Sequence, residues 1–309
     1  MLRFIISRLL QAIPVIFIVI TATFFLVRAA PGGPFDAEKV VLPEVKRALE
    51  AQYKLDLPLY EQYFAYLTDL AQGELGPSFK YPGRSVNEIL FSGLPVTAEL
   101  GFYALLIALI IGVTAGVLAS LKPNTRQDYI PMSLAMIGIC MPSFLLGPLL
   151  VLVFGIYLEW LPISGWGSIP GDKILPSITL GAAYAAYVAR LSRAGMLEIL
   201  SQDYIRTARA KGLSERTVIM RHAFRNTMIP IATILVADFA GVIGGAFITE
   251  SVFAWSGMGT LALQGIRGQD LNLLMGVFFI TATLAVLANF VADLLYSALD
   301  PRIRVGSGA

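Results

Sequence analysis

Apolar residues run through this chain in long, nearly uncharged blocks, and polar residues gather between them. Six blocks approach or exceed the roughly 18 residues that mark a membrane-crossing helix. They are Leu9–Val27, Ala98–Leu121, Ile130–Leu158, Ile174–Leu191, Met228–Phe247 and Leu271–Leu299. The pattern predicts an all-α membrane protein of about six transmembrane helices. Pro142 and Pro148 predict a kink in the third block. In the second, Gly101, Ala104, Ala108, Gly112, Ala115, Gly116 and Ala119 recur every three or four residues and form one small-residue stripe. Its GxxxG at Gly112 and Gly116 permits close helix approach in lipid, and the fifth block carries another at Gly241 and Gly245. The first block also has the flanks of a secretory signal, Arg3 and Arg8 before and Ala29-Ala30 after. Its apolar stretch exceeds the ~7–15 residues usual there, so a span is the better reading.

Between the first two blocks the pattern turns amphipathic. A turn at Pro31-Gly32-Gly33-Pro34 opens a polar segment that reads as two amphipathic helices broken near Pro58. Tyr60, Tyr63, Phe64 and Leu67 fall at helical spacing and predict an apolar stripe on the second. This divides the chain into residues 1–27 (N-terminus and first span), 28–96 (an outer loop) and 97–309 (a five-span core).

Charge changes the picture by giving it an orientation. Only 14% of residues are charged and 56% are hydrophobic. With both termini inside, cytoplasmic segments hold 14 of the 23 Lys and Arg residues against five acids, Asp128, Glu198, Asp203, Glu215 and Asp300. The positive-inside rule therefore favours an N-in, C-in arrangement. The net charge of +2 discriminates among no partners.

Candidate chemistry is sparse. Cys140 is the single cysteine and His222 the single histidine, which excludes an intrachain disulfide and a histidine-based metal cluster. No GxxxxGK[ST] or GxGxxG occurs, so no nucleotide or other cofactor is expected on this chain. No Ser/His/Asp constellation is visible, and nothing favours nucleic acid. Asp238 lies within the fifth block and Asp293 in the sixth, one turn after Asn289. Ionisable residues at such depth are functional candidates by default, with a structural hydrogen bond as the plainer reading. Their scarcity argues against a proton-driven carrier.

One stretch stands apart. RTARAKGLSERTVIMRHAFRN, residues 206–226, places Arg206, Arg209, Lys211, Arg216, Arg221 and Arg225 against one acid, Glu215. Tyr204 to Lys211 has helix-forming composition and Gly212 can end a helix in the left-handed conformation. Ser214 can cap the next helix, with Glu215 in its first turn. The prediction is a helix–turn–helix hairpin whose small residues Ala208, Ala210 and Gly212 admit a closely fitting partner. A solvated basic loop touching anionic lipid is the competing reading.

The same residues resemble the EAA motif of permease subunits of bacterial ABC importers. Arg206-Thr207-Ala208, three residues, Gly212, nine residues, then His222-Ala223-Phe224-Arg225 follows that layout, and RTARAKGL is typical of the peptide/nickel branch. The stretch departs from the motif in Arg206 and Thr207 for Glu-Ala, and in His222, Phe224 and Arg225 for Ile, Leu and Pro. The likeness covers nearly the whole chain, through the PGGP turn, Leu57-Pro58-Leu59, Glu250-Ser251-Val252-Phe253 with Gly257-Met258-Gly259, and Asp293, Tyr296 and Asp300-Pro301-Arg302. Ser256 stands where the branch usually has proline. GELGPSFKY, residues 73–81, resembles oligopeptide permease B subunits more than dipeptide ones.

The resemblance implies a type I ABC importer permease-like bundle in the bacterial cytoplasmic membrane. It implies a heterodimer with a second homologous permease, two cytosolic ATPase subunits that bind ATP and magnesium, and an extracytoplasmic peptide-binding protein. Residues 198–225 would then be the ATPase-coupling element, with Arg206, Thr207, Ala208, Arg209, Lys211, Gly212 and His222 at its centre. Asp238, Tyr184, Tyr187 and Glu250 are the candidates for the translocation pathway. Dipeptides, nickel or another small cargo, a single-chain secondary transporter and a membrane scaffold are the alternatives.

Overall fold

The computed structural model describes residues 2–30, 44, 50–51, 53–167 and 169–299. The PGGP turn, most of the first outer amphipathic helix and Asp300-Pro301-Arg302 lie outside them. Apart from one isolated bridge between Pro77 and Ser85, the described residues form helices and turns, as the sequence predicts. The helices are α1 (Leu2–Ala29), α2 (Leu59–Ala71), α3 (Val86–Leu121), α4 (Arg126–Cys140), α5 (Ser143–Leu150), α6 (Ile174–Leu200), α7 (Asp203–Ala210), α8 (Glu215–Thr217), α9 (Phe224–Gly245), α10 (Phe247–Val252), α11 (Met258–Arg267) and α12 (Leu271–Leu299). Wider π-helical turns continue α5 through Val151–Tyr157 and join α8 to α9 through Val218–Ala223.

Among the described residues, four helices are long and apolar enough to cross a membrane, and six spans result if each of two bent pairs counts as one. The third predicted span is where the structure departs most from the sequence reading. Ile130–Leu158 is not one kinked helix. It breaks between Cys140 and Ser143, and its halves meet at 111°. Met141 is extended (φ −98°, ψ 118°) because the following proline ring disfavours a helical residue before it, and Pro142 is extended too (ψ 144°). Two consecutive extended residues break a helix where one proline would bend it. Pro148, the other expected kink, sits inside α5 without interrupting it.

The chain divides into two compact units. One comprises Met1–Thr97 and Ser256–Val286. Its core joins Leu75, Val86, Ile89 and Leu90 to Met258, Leu261, Leu273 and Val277. The fully buried carboxylate of Asp270 accepts hydrogen bonds from the Ser78 hydroxyl, the Lys80 amide at 3.3 Å and the Leu273 amide at 3.1 Å. It thereby caps α12 and pins the 73–85 turn. Helix α2 corrects the sequence reading. Its packed stripe is Tyr63 and Tyr66, which meet Phe24 and Met275, while Tyr60 and Phe64 are 62% and 63% exposed. Burial pushes the Tyr66 phenol up to about 12, and the nearby Arg28 guanidinium opposes the shift.

The other unit comprises Ala98–Trp255 and Leu287–Ala309, and α6 runs through its centre. Helix α3 reaches α6 through the predicted stripe: a side-chain carbon on Gly112 would lie 2.6 Å from the Ala185 carbonyl, and one on Gly116 would strike the Ala189 carbonyl. Gly138 of α4 meets Ala182, and Gly181 meets Ala104, in the same way. The second GxxxG behaves differently: a side-chain carbon on Gly245 would meet nothing within 4 Å, and one on Gly241 would meet the Tyr184 hydroxyl at an ordinary 3.8 Å. The two motifs should therefore part under mutation. Gly116→Leu forces α3 off α6 and should lower the thermal midpoint of the purified protein, by a loss of about 1–3 kcal/mol. Gly241→Ala should leave the midpoint unchanged or raise it, since alanine favours helix by about 1 kcal/mol.

Candidate functional site

The basic stretch folds as a hairpin, and each local signal has its predicted partner. Helix α7 closes on Gly212 at φ +78°, with the Gly212 amide donating to the Arg209 carbonyl at 2.9 Å and the Leu213 amide to the Ala208 carbonyl at 3.4 Å. That nested pair is the left-handed glycine stop. The Ser214 hydroxyl then accepts from the Thr217 amide at 3.4 Å and caps α8. A bidentate pair closes the turn, with Arg209 Nε donating to Glu215 Oε1 at 2.8 Å and Nη2 to Oε2 at 3.3 Å. Such exposed pairs are worth about 0–1 kcal/mol, so they trim the turn rather than hold it.

What holds it is a small apolar core. Ile205 and Ala208 of α7 and Val218 and Ala223 of the π-turn pack against Met196 of α6, and four of these five side chains are fully buried. Ala208, at 6% exposure, belongs to this core and not to the hairpin's surface. The expectation that its small size admits a partner is thus corrected: it admits the other limb of the hairpin. Arg206, Thr207, Arg209, Ala210, Lys211 and Gly212 are exposed, and a side-chain carbon on Gly212 would meet nothing within 4 Å. His222 is half-buried in the π-turn, and its carbonyl accepts from Asn226 Nδ2 at 3.2 Å. Asn226 also donates to the Tyr204 hydroxyl at 3.0 Å and ties the two limbs.

The four pathway candidates are not brought to one place. Tyr184 on α6 and Asp238 on α9 lie close enough to interact electrostatically, and the Tyr184 hydroxyl is 3.8 Å from where a Gly241 side chain would begin. Tyr187 is exposed, one turn along α6. Glu250 is fully buried in α10, where its carbonyl accepts from the Trp255 amide at 2.8 Å. Asp293 is partly buried in α12.

Two features of this unit escaped the sequence reading. At the far end of α6, Lys173 donates to Glu99 and lies 4.4 Å over the Trp166 ring, while Trp166 stands edge-on to Trp255 at 4.4 Å. The Glu99 carboxylate raises the Lys173 ammonium above the usual lysine range, against the opposing effect of burial. This corner borders a cavity of about 670 Å³ lined by Tyr103, Ile107, Asp172 and Ser177 among others. The second feature is Asp128, buried and gripped by Arg193 from 65 residues away. A single sequence carries no sign of either pairing, since each partner looks like an ordinary loop-edge charge.

Residues 1–100 and 108–305 match the two halves of one family, described as the N-terminal part and the inner membrane component of binding-protein-dependent transport systems. The chain belongs to that family. It is a membrane permease subunit, and the basic hairpin lies within the second matched region. The oligopeptide transport system permease proteins OppB of Haemophilus influenzae and Escherichia coli K12 are 48% and 45% identical to it, each over 98% of this chain and 100% of the relative. The dipeptide transport system permease protein DppB of Bacillus subtilis is 41% identical over 99% of both chains. In fold, the chain is similar to the inward-facing methionine ABC transporter MetNI, with a TM-score of 0.59 at 17% identity, over 69% of this chain and 96% of that one.

The hairpin geometry carries its own prediction. At φ +78°, Gly212→Ala strains the backbone by about 1 kcal/mol without any clash. Amide exchange in residues 203–217 should rise about fivefold while that of α6 and α9 is unchanged. Gly212→Asn, which tolerates the left-handed region, should restore most of the protection.

Proposed function

We propose that this chain is one half of the membrane pathway of an ATP-driven oligopeptide importer in the bacterial cytoplasmic membrane, and that residues 198–225 couple it to a cytosolic ATPase. It acts with a second, homologous permease, two ATPase subunits and an extracytoplasmic binding protein that delivers peptide. ATP and magnesium sit on the ATPase chains, and this chain binds no cofactor. The observation that carries the reading is the build of the hairpin. Its inner face packs onto Met196 of α6, and its outer face presents Arg206, Thr207, Arg209, Lys211 and Gly212. A surface so arranged fits a groove on a partner, and its core passes the partner's motion to a membrane helix. Closure of the ATPases on ATP then tilts the hairpin and rocks the spans joined to it, opening the pathway to alternate sides.

The cargo assignment is supported by the oligopeptide permeases at 45–48% identity. The dipeptide permease at 41% supports a smaller peptide as the second reading. Within the membrane, Asp238 and Tyr184 are the polar pair for passing peptide, with Tyr187 one turn away. A carrier of varied peptides needs weak side-chain contacts, so a few dispersed polar groups suit it better than a sharp pocket. Glu250, being fully buried, enters the pathway only in a state where α10 has moved.

The decisive experiment is co-purification of the complex with native chain and with Gly212→Asp, followed by ATP-dependent peptide uptake into vesicles. The native chain should bring down the ATPases. The variant, which sets an unpaired charge against the docking groove, should lose them or cut uptake by about tenfold or more. Full activity of Gly212→Asp, or uptake by the native chain with no ATPase present, would leave the hairpin as a topology signal only.

A further inference from the structure

We propose that Asp128 and Arg193 form a clamp that makes α4 follow α6 during transport, so that they are positioning residues for coupling. The proposal rests on the reading of residues 198–225 as the coupling hairpin. Asp128 stands in the first turn of α4 and is 2% exposed. Arg193 Nε donates to its Oδ1 at 2.7 Å and Nη2 to its Oδ2 at 2.6 Å. The Asn124 amide, in a turn held at φ 60°, donates to Oδ2 at 2.8 Å. Two parallel bonds between a planar guanidinium and a planar carboxylate set direction as well as distance.

Three observations make this more than a stabilising contact. First, this ion pair is weak evidence for stability, because desolvation of the buried Asp128 offsets the attraction and the Arg193 side chain, 28% exposed, is partly screened by its surroundings. What such a pair fixes well is geometry. Second, the remaining contact between α4 and α6 is smooth. Ala135 faces Ala186 and Ala189, Gly138 lies against Ala182, and the longer side chain packed there is the flexible Met132. Methyl and backbone surfaces pack closely but interlock little, so they leave rotation and sliding weakly opposed. Third, the clamp sits on the path of the drive. Arg193 lies one turn before Met196, the residue through which the hairpin core grips α6. Motion of the hairpin therefore reaches Arg193 first, then Asp128, then α4 and the break at Met141–Pro142 beyond it.

The test uses the assembled transporter in proteoliposomes with its ATPases, partner permease and binding protein, and reads peptide taken up per ATP hydrolysed. Arg193→Lys keeps the charge and loses the fork. Asp128→Asn keeps the size and loses the charge. Asp128→Glu keeps a carboxylate that accepts both bonds. The first two should co-purify with ATPases and hydrolyse ATP within about twofold of native, while peptide per ATP falls about tenfold. Asp128→Glu should retain most of the native ratio. A native ratio in Arg193→Lys and Asp128→Asn overturns the clamp. So does a parallel fall of assembly, hydrolysis and uptake that leaves the ratio unchanged, since that is the signature of a purely structural pair. Failure of the native chain to recruit ATPases would instead overturn the coupling reading itself.

Discussion

In lipid, helices gain nothing by hiding apolar surface from one another, so association depends on close van der Waals contact. Helix α6 meets that constraint with backbone. Gly112 and Gly116 of α3 and Gly138 of α4 admit its carbonyls at Ala185, Ala189 and Ala182, and its own Gly181 admits Ala104. Several features of functional interest in this unit hang on that helix. The hairpin is packed on one end, the Lys173–Glu99 pair borders the other, and Arg193 and Tyr184 project between. Leucine-rich seams would have spaced these helices further apart.

The hairpin was legible because its instructions are local. A glycine stop, a serine cap and an acid in the first turn act within four residues of themselves, and each leaves a residue type that performs no other job as well. The long apolar blocks were legible for the same reason, since hydrocarbon thickness sets their length directly. Leu271–Leu299 has the predicted bounds, whereas α3 begins at Val86, twelve residues before the predicted Ala98, because the helix runs on past the end of its apolar block.

What could not be read was set by distant partners. Two extended residues at Met141 and Pro142 turn a kink into a 111° break, and proline alone does not distinguish them. The face of α2 depends on Phe24 and Met275, which choose Tyr63 and Tyr66 over the equally aromatic Tyr60 and Phe64. Asp128 and Arg193 are 65 residues apart, and each alone resembles a charge at a membrane boundary. Glu250 was a pathway candidate through the family resemblance alone, and the structure buries it completely in α10.

Helix α6 is one unbroken element of 27 residues. At about 1.5 Å per residue it is a rod roughly 40 Å long. A rod converts angle into distance. If its middle is held by the glycine seams, a tilt of about 5° imposed at Leu200 carries Ile174 about 2 Å the opposite way, and 10° carries it about 3.5 Å. Displacements of that size are comparable with a single layer of side-chain contact. The cavity beside Lys173 would thus widen or narrow in step with the opposite end, with no bond broken inside the helix.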